Sequence, residues 1–290
     1  MKNKKLAWAL LVILSVVWGS SFILMKRGLD AFSSDEVAAL RISIAFLFLS
    51  PLLIKHYKID FKKYLPGIIL MGVFGNLIPA FLFTKAETEI SSSLTGMLNA
   101  LTPLFTVLVG LFWLKVKPKA MQIVGIIVGF IGAACLMIFD AGSGSSKNIA
   151  YGLLVVAATF FYAISVCGIK KYLSDINSIT ATVWAFSITG PISLIYLFGF
   201  SDFTLHLATS PMAVPSLGYI SILAIVGSAL SVIAYNILIK NSGTVFASSC
   251  TYLIPVVAIG WGLFDGEMVN FYQFFSIVVI ILSVYLINRD

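Results

Sequence analysis

Residues 99–112 read Asn99-Ala-Leu-Thr-Pro-Leu-Phe-Thr-Val-Leu-Val-Gly-Leu-Phe112, and residues 251–264 read Thr251-Tyr-Leu-Ile-Pro-Val-Val-Ala-Ile-Gly-Trp-Gly-Leu-Phe264. Each is an apolar run with one proline near its start and Gly-Leu-Phe at its end, and a shift of 152 residues lays one on the other. The same shift, without a gap, brings Gly75 onto Gly227. Further upstream a shift of 140 pairs Asp35 with Asp175, Ala45-Phe46 with Ala185-Phe186, and Pro51 with Pro191. In a chain this rich in Leu, Ile, Val and Phe, apolar identities carry little weight. Matching glycines and prolines carry more, because they act on the backbone. The chain therefore reads as a tandem repeat, with residues 1–140 as the first unit and 149–290 as the second. Residues 141–148 join them, including the flexible stretch Gly142-Ser-Gly-Ser-Ser146.

Composition decides the medium. Of 290 residues, 60% are hydrophobic and 11% charged, where soluble domains carry about 25% charged, and mean hydropathy is +1.03. Apolar runs predict spans at 6–25, 37–54, 65–84, 93–114, 121–139, 150–168, 179–198, 217–239, 245–264 and 271–287. Ten spans of roughly 20 residues occupy about 200, leaving only short connectors and no soluble catalytic domain. Lys2, Lys4 and Lys5 ahead of the first run resemble a signal peptide. The run is too long for a signal core and lacks a small-residue cleavage site, so it is read as a retained span. A unit of five spans crosses the bilayer an odd number of times, so its copy enters from the other side. The expected fold is all-α, with ten transmembrane helices in two inverted five-helix repeats.

The basic residues orient it. One set of connectors holds Lys2, Lys4, Lys5, Lys55, Lys58, Lys62, Lys63, Lys115, Lys117, Lys119, Lys170, Lys171, Lys240 and Arg289; the other holds only Lys26, Arg27, Lys85 and Lys147. The positive-inside rule then predicts a multi-pass protein of the plasma or inner membrane with both termini cytoplasmic. Read this way, the net charge of +7 reflects topology, and no nucleic-acid partner is expected. Cys135, Cys167 and Cys250 fall inside apolar runs, and His56 and His206 are far apart in connectors. Neither a metal site nor a cofactor is expected, and the absence of a Gly-x-x-x-x-Gly-Lys-Ser/Thr loop argues against ATP as energy source.

Taken in order, the motifs resemble those of EamA-type transporters of the drug/metabolite transporter superfamily, over essentially the whole chain. Trp18-Gly-Ser-Ser-Phe22 followed by Lys26 is similar to that family's opening motif, and Arg41 stands where the family commonly carries arginine. The segments Asn99–Pro103 and Thr251–Pro255 resemble its proline-bearing helices. Glu267 followed by Gln273 resembles its motif between the last two spans. Lys115 and Val116 depart from the pattern, standing where the first half usually has a glutamate, as do Ser276 and Ser283 at expected glycines. The resemblance implies a non-enzymatic exporter or exchanger of small metabolites. It also implies peripheral fifth and tenth spans that serve packing or a homodimer contact. Inverted repeats are a recurring plan of secondary transporters, with the solute bound near the midplane where the halves meet.

Candidate site residues are polar or aromatic groups at membrane depth. Pro103 and Pro255 leave the carbonyls of Asn99 and Thr251 without their helical donors, which is tolerated where the backbone is buried in protein or faces a cavity. Asn99 and Thr102 share the face beside that kink. The alternative is a kink sealed by neighbouring hydroxyls. Trp18, Phe22, Tyr162, Tyr235 and Tyr252 lie on helices that line the cavity in the resembled family, where a ring could stack on a solute; lipid-facing packing is the alternative. Asn76 and Asn236 are expected to face the interior. Arg41 is the one ionisable residue well inside a span, expected to serve the site, to snorkel to the outer interface or to pair with an acid such as Glu87 or Glu89. Lys26 and Arg27 read as interface anchors. Glu267 and Asp265 are expected to cap the tenth helix or to form an outer gate.

The expected function is a secondary transporter of amino-acid-like or drug-like solutes, with a small molecule and the lipid bilayer as its partners. The other class weighed is an integral-membrane enzyme acting on lipid or isoprenoid substrates. Such enzymes carry acidic or histidine clusters at the membrane surface, whereas His56 is the single histidine in the cytoplasmic connectors. No buried acid for proton coupling is evident at mid-membrane.

Overall fold

The computed structural model describes residues 4–115, 119–140, 146–248 and 250–288, and within them every regular element is helical. Eight helical segments are long and apolar enough to cross a bilayer: Lys5–Gly28, Ser34–His56, Phe61–Ala86, Ser92–Trp113, Ala120–Phe139, Ile149–Tyr172, Ser178–Gly199 and Ala213–Leu238. The ninth and tenth expected spans are shorter apolar helices, Leu253–Phe264 and Phe271–Leu286. The expected start of the ninth at residue 245 needs correction. The preceding helix runs on to Ser248 and the next begins at Cys250, because nothing between 239 and 248 interrupts the helical hydrogen bonding. Within the expected linker, 141–145 lie outside the described residues, while Ser146 already opens the helix Ser146–Tyr172.

Hydroxyls along these helices bond back to carbonyls one turn earlier, as Thr84 does to Ala80 and Thr182 to Ser178, both at 2.9 Å. Such back-bonding lets a polar side chain sit in an apolar medium without an orphaned donor. The second and seventh spans pack face to face around Ile42, Ala45, Val183 and Phe186, all fully buried. The fifth span and the tenth segment pair at the periphery. A Cβ at Gly129 would strike Leu104 and Ser283, and one at Gly132 would approach Ile280, so small residues set this contact. Their outer faces show Ile127, Ile131, Phe275 and Leu282, more than half exposed.

Two features matter for the site. Residues Leu70–Leu77 in the third span and Leu223–Leu230 in the eighth are π-helical. They lie within one residue of the 152-residue shift. The helices also define two ends of the bundle, called near (the N-terminal side) and far.

Candidate functional site

A cavity of about 170 Å³ lies at the centre, walled by both halves of the chain. Each π-helical turn contributes to it: Met71, Gly75 and Asn76 from one, Gly227 and Ser228 from the other. In a π-turn the carbonyl partner moves from four to five residues back, and side chains occupy the displaced positions. Asn76 donates its amide to the carbonyl of Met71 at 2.8 Å, and Ser228 donates to Leu223 at 3.3 Å. Trp18 reaches across from the first span and donates its indole N–H to the Gly227 carbonyl at 3.1 Å.

Arg41 enters this wall as its one charged side chain among the described residues. It neither snorkels to an interface nor pairs with Glu87 or Glu89. Its Nε donates to Ser228 Oγ at 2.8 Å, and Nη1 lies 3.9 Å from Met25 Sδ. The reason is geometric: the second span packs on the eighth, and the π-turn there presents a hydroxyl at the right depth.

Aromatic rings line the cavity as well. Phe83 stands between Phe22 and Tyr162, with ring centroids 5.9 and 5.8 Å away, and Trp18 meets Tyr235 edge to face at 5.0 Å. Asn99, Thr102, Asn236 and Thr251 complete the lining. The carbonyl of Asn99, freed by Pro103, accepts from the Thr102 hydroxyl at 2.9 Å, so the kink is sealed by its neighbour even though both side chains border the cavity. Pro103 is buried behind it, Pro255 lies inside the helix Cys250–Phe264, and the side chain of Tyr252 lies outside the described residues. A second cavity of about 150 Å³ shares Val166, Ile169, Tyr235 and Asn236 with the first and continues toward the near end, along Leu173, Ser174 and Ile176.

The far end is closed. Lys26, ending the first span, contacts Asp265 and Glu267, each at 2.7 Å, and Arg27 pairs with Asp265. Lys26 and Glu267 are in the lining of neither of these two cavities. The expectation that Glu267 caps the tenth helix is corrected here. Its carboxylate accepts from the backbone N–H and hydroxyl of Ser92 (3.1 and 2.9 Å) and of Ser93 (3.0 and 2.6 Å), at the start of the fourth span. Gly262 makes room for this, since any Cβ there would collide with Ser93 Oγ and Glu267 Oε2. The tenth helix is capped instead by Asn270 and Gln273, which exchange side-chain and backbone bonds at 2.8 Å. Burial pushes the Glu267 carboxyl up, but the bonds from Lys26, Ser93 and Ser92 outweigh it and bring it to about 2.

The EamA-like transporter family matches residues 6–138 and again 150–289. The chain belongs to the EamA-like transporter family. It is a multi-pass membrane protein of a transporter family. It is 24% identical to the Escherichia coli protein named Uncharacterized inner membrane transporter YedA, over 96% of this chain and 89% of that one. It is also 24% identical to the Probable terminal-alkyne amino-acid exporter of Streptantibioticus cattleyicolor, over 89% and 84%. An Archaeoglobus fulgidus protein named Uncharacterized transporter is 29% identical over 60% of this chain and 61% of its own length. A crystal structure of another protein shares the fold at TM-score 0.64 and 13% identity, over 98% of this chain and 96% of that one.

For this EamA-like chain, the sequence-level reading passed over Ser21, Met25, Phe83, Ser165 and Ser228 in the cavity wall. The Gly75–Gly227 pairing was the one signal near Ser228. Glu87 entered that reading only as a possible partner for Arg41, in a connector.

Proposed function

We propose that the chain is a secondary transporter that exports or exchanges small carboxylate-bearing solutes of amino-acid type by alternating access. In this reading its ten spans form two inverted repeats and both termini are cytoplasmic. The observation that carries it is Arg41, a guanidinium in the wall of a central cavity between the two halves. A carboxylate is the group that a guanidinium fork recognises best. The rings of Trp18, Phe22, Tyr162 and Tyr235 offer stacking surface for an apolar or unsaturated side chain, and Asn76, Asn99, Asn236, Thr102 and Thr251 supply hydrogen bonds. A relative named as a probable exporter of a terminal-alkyne amino acid fits such a solute. The match of the family to each half of the chain supports the repeat, and the paired π-turns support it independently. A sealed far end with a cavity leading toward the near end fits one extreme of an alternating cycle. Pro103, Pro255, Lys26 and Glu267 belong to the moving parts in this reading.

The test starts from metabolite profiles of cells with and without the gene, followed by uptake of the solute so identified into proteoliposomes. Arg41→Gln is expected to lower uptake about ten- to hundredfold, the loss of one charge-assisted contact. Undiminished uptake in that variant, or equal transport of the decarboxylated solute, sinks the carboxylate assignment.

A further inference from the structure

Glu87 directly follows the third span at the far end. Its neighbours Lys85, Thr88 and Glu89 are exposed, and the run reads as a solvated connector. Glu87 itself is 7% exposed, and neither of its carboxylate oxygens has a hydrogen-bond partner among the described residues. Three charged groups act on it from other elements: Lys26 from the first span, Arg41 from the second and Glu267 from the connector before the tenth segment. The sixth span presents Tyr162, which stacks on Phe83 one turn earlier. Both cations are engaged elsewhere, Lys26 with Asp265 and Glu267 and Arg41 with Ser228.

A carboxylate with two dry, undonated oxygens is hard to sustain. Burying an ion costs several kcal/mol even after relaxation, and Glu267, ionised close by, adds repulsion. Burial first, and then the charge of Glu267, hold the Glu87 carboxyl well above the usual carboxylate range, against the weaker pull of Lys26 and Arg41. The neutral acid avoids both costs.

We propose that Glu87 is a proton-binding site of the transporter, and that the sealed arrangement of the far end forms only with a proton on it. When the far end opens, water reaches the carboxyl group. Its O–H bond breaks, the proton passes to a far-side water, and the electron pair stays on the carboxylate. Lys26, released from Glu267, is then placed to pair with the new charge. Closing reverses the step and takes one proton from the far side, so the pH there sets how readily the emptied carrier closes. This inference rests on the alternating-access reading but deepens it by naming the ion whose binding governs closure of the far end.

The experiment needs no solute. The full-length protein, with Cys135, Cys167 and Cys250 replaced, carries a single cysteine at Leu94, which is buried behind the far-end ion pairs. It is reconstituted in proteoliposomes, and an impermeant thiol reagent is added to the far side across a range of pH. The ratio to a cysteine at exposed Leu207 removes the titration of the thiol itself. Labelling at position 94 is expected to rise with pH by up to about tenfold per unit, to stay low and flat in Glu87→Gln, and to keep its slope in Glu87→Asp. The same pH profile in Glu87→Gln and the parent overturns the proposal. Infrared difference spectra read the proton directly. The carbonyl stretch of a protonated carboxyl should fade as the far end opens and be missing in Glu87→Gln; a band untouched by that substitution also overturns it. Failure here leaves the solute-uptake assay standing, and a negative uptake assay leaves this measurement intact.

Discussion

Gly110 and Gly262 occupy equivalent places in the two halves, yet they meet opposite surroundings. A Cβ at Gly262 would strike Ser93 Oγ and Glu267 Oε2, whereas one at Gly110 would meet nothing within 4 Å. The contrast extends to the ends of the bundle on which they sit. At the far end, Lys26, Arg27, Asp265 and Glu267 form ion pairs whose acidic side chains are 9% exposed. At the near end the described ion pair is Lys63–Asp175 at 2.5 Å, with both side chains about half exposed. Elsewhere at the far end Glu36 pairs with His206 at 2.8 Å. Even there Glu36 is 1% exposed. One end is held by largely buried carboxylates and close packing, the other by a solvated pair.

The largest effect is expected from Glu267→Gln. Truncating one partner of a buried, hydrogen-bonded charge pair costs about 2–5 kcal/mol, so far-side labelling at position 94 should rise about a hundredfold. An unchanged rate would erase the distinction between the two ends. The same lock has an acid limit. Because the folded carboxyl lies at about 2, below its ordinary value, its contribution is present above that ordinary value and is lost as pH falls toward 2. Closure should weaken there in a way that Glu267→Gln does not share.

Next comes the glycine pair. Gly262→Ala should cost about 1–3 kcal/mol by overpacking. Gly110→Ala should be tolerated, with a gain of up to about 1 kcal/mol from helix propensity. Thermal unfolding midpoints in one detergent compare them, and equal midpoints would contradict the contrast. The smallest effect belongs to Lys63→Gln, because water and salt screen an exposed pair and leave it little to contribute. The Asp175 carboxyl is lowered, mainly by its bond from Lys63, so what this pair adds is present at neutral pH and fades in acid. A near-side cysteine at Ser174 should change its labelling only slightly; a change as large as that of Glu267→Gln would make the gates equivalent.

Much of the cavity was legible because membrane depth makes polar and aromatic residues conspicuous. Trp18, Arg41, Asn76, Asn99 and Asn236 stand out in apolar runs, and all five border the cavity. Met25, Phe83 and Ser228 border it equally but look like any helix residue, since the faces are set by packing between distant segments. Ser228 meets Arg41 across 187 residues of chain. The burial of Glu87 was missed for the same reason: Lys85, Thr88 and Glu89 beside it are polar and exposed, and only the assembled bundle covers it. Glu267 was placed beside the wrong helix, because its nearest helix start in sequence, at Phe271, is already served by Asn270 and Gln273, while Ser92 and Ser93 stand free to receive it in space. The π-turns left no local trace beyond Gly75, Pro79 and Gly227, as a change of hydrogen-bond partner has no side-chain signature of its own.

Those π-turns give the two helices a property that an unbroken α-helix lacks. Each carries one residue more than an α-helical turn of the same span requires, so the backbone holds a step of slack in mid-membrane. If that surplus travels along the helix, each residue it passes shifts like a screw by about 1.5 Å and about 100°, with no net loss of backbone hydrogen bonds, while residues it has not reached stay in place. In the third span the part so driven is Ile78–Ala86, which carries Phe83 on its side and delivers Glu87 at its tip. A one-residue dislocation, travelling within a single helix, thereby links a ring in the cavity wall to an acid at the far seal.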